Sequence, residues 1–136
     1  MSLFKAFEIA ASGVTAQSLR LNATASNLAN ADSAAGPDGK AYQARQVIFQ
    51  TTQLDPRDPG MQGVSVQGVI NDPSPPRRVL DPKNPMADAT GYVTLPNVNT
   101  AEEMVNMLSA SRSYQSNLEV MNTAKSLLLK TLTLGN

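Results

Sequence analysis

Asp55, Asp58, Asp72, Asp81 and Asp88 are the residues best equipped for chemistry in this chain. Two carboxylates facing one another can cleave a glycosidic bond, one as acid and the other as base or nucleophile. Yet Asp55, Asp58, Asp72 and Asp81 each directly precede a proline. Such pairs initiate turns, and turn formation accounts for these acids without a catalytic role. The stretch GPDGK, residues 36–40, offers glycines and a lysine to a phosphate. It lacks the spacing of a phosphate-binding loop and the Ser or Thr that follows its lysine, so it reads as a turn leading into a strand. The sequon NAT at 22–24 falls inside a helical pattern, which argues against a surface-loop glycan.

The chain has no His and no Cys. That removes most metal sites, the His-dependent nucleophile systems and any disulfide. No catalytic, cofactor-binding or metal-binding residue is assigned, and no cofactor is expected. Lys+Arg and Asp+Glu number 11 each, so the formal charge balances. A nucleic-acid footprint would need a basic stripe, and Arg77-Arg78 is the only dibasic pair. That pair reads as a solvated loop. No apolar run approaches the ~20 residues of a membrane span. In MSLFKAFEIAASG, Lys5 and Glu8 interrupt the unbroken apolar stretch of a cleavable signal. Neither a nucleic-acid partner nor a direct membrane span is expected.

With chemistry set aside, the elements themselves carry the information. Phe4, Phe7, Ala11, Val14, Ser18, Leu21, Ala25 and Leu28 follow one another at spacings of three and four. That is a heptad seam held for nearly four heptads. One seam position holds Phe7, Val14, Leu21 and Leu28; the other is mostly small. The pattern returns after Thr100 with Met104, Met107, Ser111, Tyr114, Leu118, Met121, Leu128 and Leu132. Lys125 occupies one expected apolar slot and breaks the repeat. Thr100 is the expected N-cap, with Glu103 at capping-box spacing. Glu102 and Glu103 suit the first turn, Lys130 suits the last turn, and Gly135 suits the C-terminal end.

Between these segments the composition changes. Eight of the nine prolines fall between Pro37 and Pro85. Short strand candidates lie at 42–51, 63–70, 77–80 and 91–95, separated by turns. Gly68 interrupts the alternation in the second of them. The expected class is α+β: long N- and C-terminal helices paired as an elongated coiled-coil-like α domain, with a small irregular β region between them. The expected divisions are residues 1–31, 32–99 and 100–136. A helix of roughly 33 residues is about 50 Å long, whereas a compact globule of this size is about 37 Å across. The molecule is therefore expected to be a rod with the β region at one end.

Such a rod should have neighbours. Residues 1–31 carry only Lys5, Glu8 and Arg20 as charges, and interface cores are depleted in charge. Its off-seam positions are Ala, Gly, Ser, Asn and Gln, which pack against neighbours without burying unpaired charge. Asn27 and Asn30, in ATASNLANAD, are expected to offer hydrogen bonds to adjacent subunits, or Asn30 simply to end the helix. The expected assembly and seam residues are Phe4, Phe7, Val14, Leu21, Asn27, Leu28, Asn30, Met104, Met107, Tyr114, Leu118, Met121, Leu128 and Leu132.

Residues 25–50, ASNLANADSAAGPDGKAYQARQVIFQ, resemble the N-terminal signature of bacterial flagellar basal-body rod and hook proteins. Residues 91–136, with LPNVN followed by SASRSYQSNLEVMNTAK, resemble the proximal rod members more specifically. The short middle leaves little room for the inserted domain of distal rod and hook relatives. The resemblance implies a non-enzymatic subunit of a hollow axial tube, its helices inside and its β region outside. It implies export by the flagellar type III apparatus without signal cleavage, and polymerisation in the periplasm. It also implies partners: other copies of the chain, other proximal rod proteins, the rod–MS-ring junction protein with the export gate region, and the distal rod protein. Torque transmission and conduction of export cargo would follow. The competing readings are a different axial subunit, a helical export adaptor, or a cell-wall hydrolase working through loop carboxylates.

Overall fold

A computed structural model describes residues 2–135. The outermost residue of each expected terminal division, Met1 and Asn136, lies outside them. The order of elements is α1 (Leu3–Ala29), β1 (Arg45–Gln53), β2 (Gln62–Asn71), β3 (Arg77–Leu80), β4 (Tyr92–Leu95) and α2 (Thr100–Leu134). The class is α+β, as the sequence implies.

The helices start and stop for local reasons. Ser2 caps α1, its Oγ accepting from the Lys5 N–H. Asn99, not Thr100, caps α2: its Oδ1 accepts from the N–H groups of Ala101 and Glu102 at 3.1 and 3.3 Å. Thr100 is the first helical residue, so the expected capping box is one residue out of register. Glu102 and Glu103 do lie in the first turn, where the helix dipole favours them. Lys130 stands just before the last turn rather than in it, and Gly135 is the C-cap.

β1 and β2 form an antiparallel hairpin with a bulge: Ile48 faces Gly68 while Phe49 faces Val66. The extra residue, Gln67, explains the interrupted alternation, because a bulge shifts every later side chain by one position. β3 and β4 form a separate antiparallel ribbon, Arg77 facing Leu95 and Leu80 facing Tyr92.

The hairpin does not sit at the end of the rod. It lies along the flank of α1, fastened at both ends and in the middle. Asn27 holds the start of β1, Ser12 Oγ accepts from the Val64 N–H at 3.1 Å, and Lys5 pairs with Asp58 in the hairpin loop. The lengths allow this. From Lys5 to Asn27 α1 rises about 33 Å, and strands of nine or ten residues span about 30–34 Å. Gly63 makes the close approach possible, since a Cβ there would lie 2.6 Å from Ser12 Oγ.

α1 and α2 pack antiparallel. Gly13 lies against Asn117, Arg20 donates to Asn106 Oδ1, and Leu3 and Ala6 share a groove with Ala124 and Leu127. The packed residues of α1 are Ala10, Gly13, Ala16, Thr24 and Asn27; those of α2 are Ala110 and Ala124. The predicted seam is thus one residue out of phase in α1, a rotation of about 100°. In α2 half of it holds. Met107, Tyr114, Met121 and Leu128 are half-buried, whereas the second seam position is Ala110, Asn117 and Ala124 rather than Ser111, Leu118 and Lys125. Lys125 therefore breaks nothing: it falls on the exposed side of Ala124.

At Gly13 a Cβ would stand 2.7 Å from Asn117 Nδ2 and 2.9 Å from its Cγ, and that amide is held by a bond to the Ser113 carbonyl. Gly13→Ala should destabilise the chain by about 1–3 kcal/mol through overpacking. Urea unfolding of Gly13→Ala, Asn117→Ala and the double variant checks this; the double variant should recover much of the loss, because the two sites are coupled.

Candidate functional site

The signature SNLAN, residues 26–30, is the natural place to begin. Asn27 is only 1% exposed, and with Pro96 it is the largest fully buried side chain among the described residues. Its Nδ2 donates to the Arg45 carbonyl at 2.9 Å, and its Oδ1 accepts from the Arg45 N–H at 2.8 Å. The amide thus pairs with one residue's backbone as a neighbouring strand would. Tyr42 Oη adds the amide's third bond, donating to Oδ1 at 2.9 Å, and accepts in turn from Ser26 Oγ. A buried amide is tolerated because its donors and acceptors are met. Asn27 is buried against its own chain and out of reach of an adjacent subunit, so the contacts it makes are intramolecular rather than the expected intersubunit ones.

Asn30 serves the helix end, the alternative weighed for it. It is the C-cap of α1, its Nδ2 donating to the Ser26 carbonyl at 2.9 Å while Ser33 bonds back to it. Just beyond, Ala31, Ala44 and Val98 close a small core with Tyr42 against it.

LPNVN does a matching job at the start of α2. Asn97 Oδ1 accepts from the Ala44 N–H at 2.8 Å, and its Nδ2 donates to the carbonyls of Asp72 and Ser74. One side chain therefore ties the approach to β1, the end of β2 and the approach to α2. Arg77 completes the junction, donating to the Pro96 and Ala31 carbonyls at 3.2 Å. Arg77-Arg78 is not a solvated loop: both residues are in β3, and Arg78 pairs with Asp88 while stacking 4.9 Å from the Tyr92 ring centre. Asn97, Asn99 and Arg77 were missed as positioning residues. The asparagine doublet spaced two apart before a helix was the available signal.

The loop acids behave as turn residues. Asp55, Asp58 and Asp72 each accept, through a carboxylate oxygen, the N–H two residues on. Asp88 Oδ1 accepts from the Thr90 N–H, Thr90 Oγ1 and the Tyr92 N–H. GPDGK is a turn, with Gly39 at φ 72° and its N–H bonded to the Gly36 carbonyl. Lys5 and Asp58 favour each other's charged form: their hydrogen bond raises the lysine pKa and lowers that of the aspartate.

The candidate surface is what these contacts leave uncovered. Phe4 is 59% exposed, Met104 58%, Leu108 71% and Leu132 67%. Leu118 is half-exposed, and Phe7, Val14, Leu21 and Leu28 are half-buried beside the small-residue seam. α2 also runs about two turns past the start of α1, since Leu3 already faces Leu127. Leu129, Leu132 and Leu134 on this overhang have no α1 residue opposite them and are exposed. Large apolar side chains are thus left in water at both ends of the helix pair, and exposed apolar surface of this kind marks an interaction site. Among the described residues, no helix is long and apolar enough to cross a membrane.

Residues 7–37 match the family described as flagella basal body rod protein, and residues 89–134 match the C-terminal family of flagellar basal body rod FlgEFG proteins. These regions contain Asn27, Asn97 and the whole of the helix pair apart from the first residues of α1, so the class is that of flagellar rod proteins. The FlgC flagellar basal-body rod protein of Yersinia enterocolitica is 58% identical over 99% of each chain. That of Escherichia coli O6:H1 is 57% identical over 99% of each, and that of Borreliella burgdorferi 38% over 98% of each. The chain belongs to the FlgC family of flagellar basal-body rod proteins.

Asn27→Ala should cost about 1–3 kcal/mol, because both Arg45 backbone groups lose their partner in a buried place. Asn30→Ala, at a half-exposed cap, should cost less; urea midpoints of the two variants check the order. Asp88 is held well below the ordinary carboxylate range, at about 2, chiefly by the Thr90 hydroxyl and then the Tyr92 N–H. Its folded value lies below its unfolded one, so its stabilisation is present above pH ~4 and is lost as pH falls towards 2. Carboxyl NMR should give a midpoint near 2 for Asp88.

Proposed function

We propose that the chain is a subunit of the proximal part of the flagellar rod, polymerising with other rod proteins into a hollow shaft. The observation that carries this reading is the distribution of apolar residues on the helix pair. Small side chains meet inside the chain, while Phe4, Met104, Leu108, Leu118 and Leu132 remain on its outside. A helix pair that leaves large side chains facing water is completed by packing against others like it. The half-buried Phe7, Val14, Leu21, Leu28, Met107, Tyr114, Met121 and Leu128 would be finished by the same neighbours.

On this reading the helices line the inner tube, and the hairpin and ribbon face outwards. The partners are other copies of the chain, the other proximal rod proteins, the rod–MS-ring junction protein near the export gate, and the distal rod protein. The subunit is exported without cleavage of a signal and takes its place in the periplasm, where the rod carries torque and conducts later cargo. The role is structural and not enzymatic. The intramolecular turn bonds of the loop acids support this against a hydrolase, and the FlgC relatives support it against an export adaptor.

The experiment is complementation of a strain lacking the chain. The wild-type protein should restore swimming and co-purify with basal bodies. Leu118→Asp, on an exposed position, should leave the monomer folded by circular dichroism yet abolish both. Normal swimming with Leu118→Asp at normal protein levels would remove Leu118 from the assembly surface.

A further inference from the structure

A strand at the edge of a sheet leaves a row of backbone groups unpaired, and folds normally cover or blunt such edges. Three of the four strands here follow that rule. Ser12 takes the Val64 N–H on the outer edge of β2. The Ala35 and Asp88 N–H groups donate to the Thr94 and Tyr92 carbonyls of β4 at 2.8 and 2.9 Å. β3 carries Arg77 and Arg78 and has Pro75, Pro76 and Pro82 beside it. β1 has no such protection: from Gln46 to Gln53 it contains no charge, no proline and no glycine.

The outer edge of β1 can be followed residue by residue. Both backbone groups of Arg45 face Asn27, so they point away from β2. In an antiparallel pair this direction alternates along the strand. Val47, Phe49, Thr51 and Gln53 therefore turn their N–H and C=O groups outwards as well. The partner strand gives the same parity, because Thr51 faces Val64 and the Val64 N–H points out to Ser12. The extra residue of the bulge is in β2 and leaves the alternation of β1 intact. Among the described residues, the outward groups of Val47, Phe49 and Thr51 make no hydrogen bond. Of the helices and strands, only β2 and α1 pack on β1. α1 passes from the β1 edge at Asn27 to the β2 edge at Ser12, so the row from Val47 to Gln53, about 20 Å long, stays open.

We infer that this edge receives an extended segment of a different protein as a third strand, its main-chain amides continuing the pairing that Asn27 begins at Arg45. The inference rests on the rod reading and adds to it a contact made by main chain rather than by helix faces. Asn27 shows what the edge accepts: one carboxamide donates to and accepts from a single residue there, as a peptide group does. Strand addition draws affinity from main-chain bonds and specificity from alternate side chains. The uncharged edge and the half-buried Val47 and Phe49 suit an uncharged segment with β-branched or aromatic residues opposite them. A second copy does not fit. β1 has one free edge, so β1 against β1 is the same patch on both copies and closes as a pair, whereas rod subunits repeat in one direction. The other strand edges of a second copy are covered or blunted.

Two measurements test the contact. In the free chain, amide hydrogen exchange should be fast at Val47, Phe49 and Thr51 and slow at Gln50 and Thr52, whose N–H groups face β2. Equal protection along β1 would mean that the edge is already covered and would overturn the proposal. The chain carrying Gln53→benzoylphenylalanine is then expressed in cells lacking the native chain, and purified basal bodies are irradiated. The expected product is an adduct with an uncharged segment of a different protein, identified by peptide mass spectrometry. Adding Thr51→Pro removes only an outward N–H, which an edge strand tolerates, so the chain should fold as before by circular dichroism and lose most of the adduct. Adding Thr51→Lys instead keeps the N–H, blunts the edge with charge and should lower the adduct severalfold; it replaces the proline variant if that one unfolds. An adduct undiminished by these changes would mean proximity without pairing and overturn the proposal. An adduct of twice the chain's mass would overturn it too, as would no adduct in basal bodies that contain the chain, and in that last case the rod reading stands. If the chain without substitutions is absent from basal bodies, both fail.

Discussion

The amide of Asn27, paired edge to edge with the backbone of Arg45, fixes the rest of the fold. Among the described residues no large hydrophobic centre organises the fold. Its fully buried apolar residues are mostly alanines and valines, and its largest fully buried side chains are Asn27 and Pro96. Burial alone is non-directional. Hydrogen bonds are not, and three of them converge on one side chain. They set where β1 starts and which way the hairpin runs along the helix, while Asn30 ends α1. Asn97 repeats the device at the other helix, so two asparagines brace the junction from which α1, β1 and α2 diverge.

The consequence is a helix pair with its sizes inverted. Ala10, Gly13, Ala110 and Ala124 meet inside, which lets the backbones come close. The large side chains that a two-helix protein would normally bury are displaced to the flanks and the outside. As a monomer this arrangement leaves much apolar surface in water. As a subunit it presents that surface to neighbours, which fits a protein of the rod family. The ion pair of Lys5 with Asp58 and the Ser12 bond to β2 keep the hairpin on one flank of α1, so the outward-facing stripe stays open.

Much of this was legible in the residue order. The helices and strands fall close to their expected ranges, because heptad spacing, Asp–Pro turns and β-branched runs act locally. The reading of the loop acids as turn residues agrees with Asp55, Asp58, Asp72 and Asp88. The phase of the seam was not legible. Periodicity selects the largest apolar column, and here that column is not the one that packs within the chain. A shift of a single residue moved the cap from Thr100 to Asn99 and the seam from Leu118 to Asn117. It also removed the apparent defect at Lys125.

The sequence by itself determined the class, the elements and the family, since those depend on spacing, composition and short motifs that need no partner. Tertiary structure alone decided the place of the hairpin and the work of the asparagines. Whether an amide serves a neighbour or its own chain depends on what lies opposite it. For Asn27 that is the backbone of a residue 18 positions away, which no local pattern in SNLAN encodes.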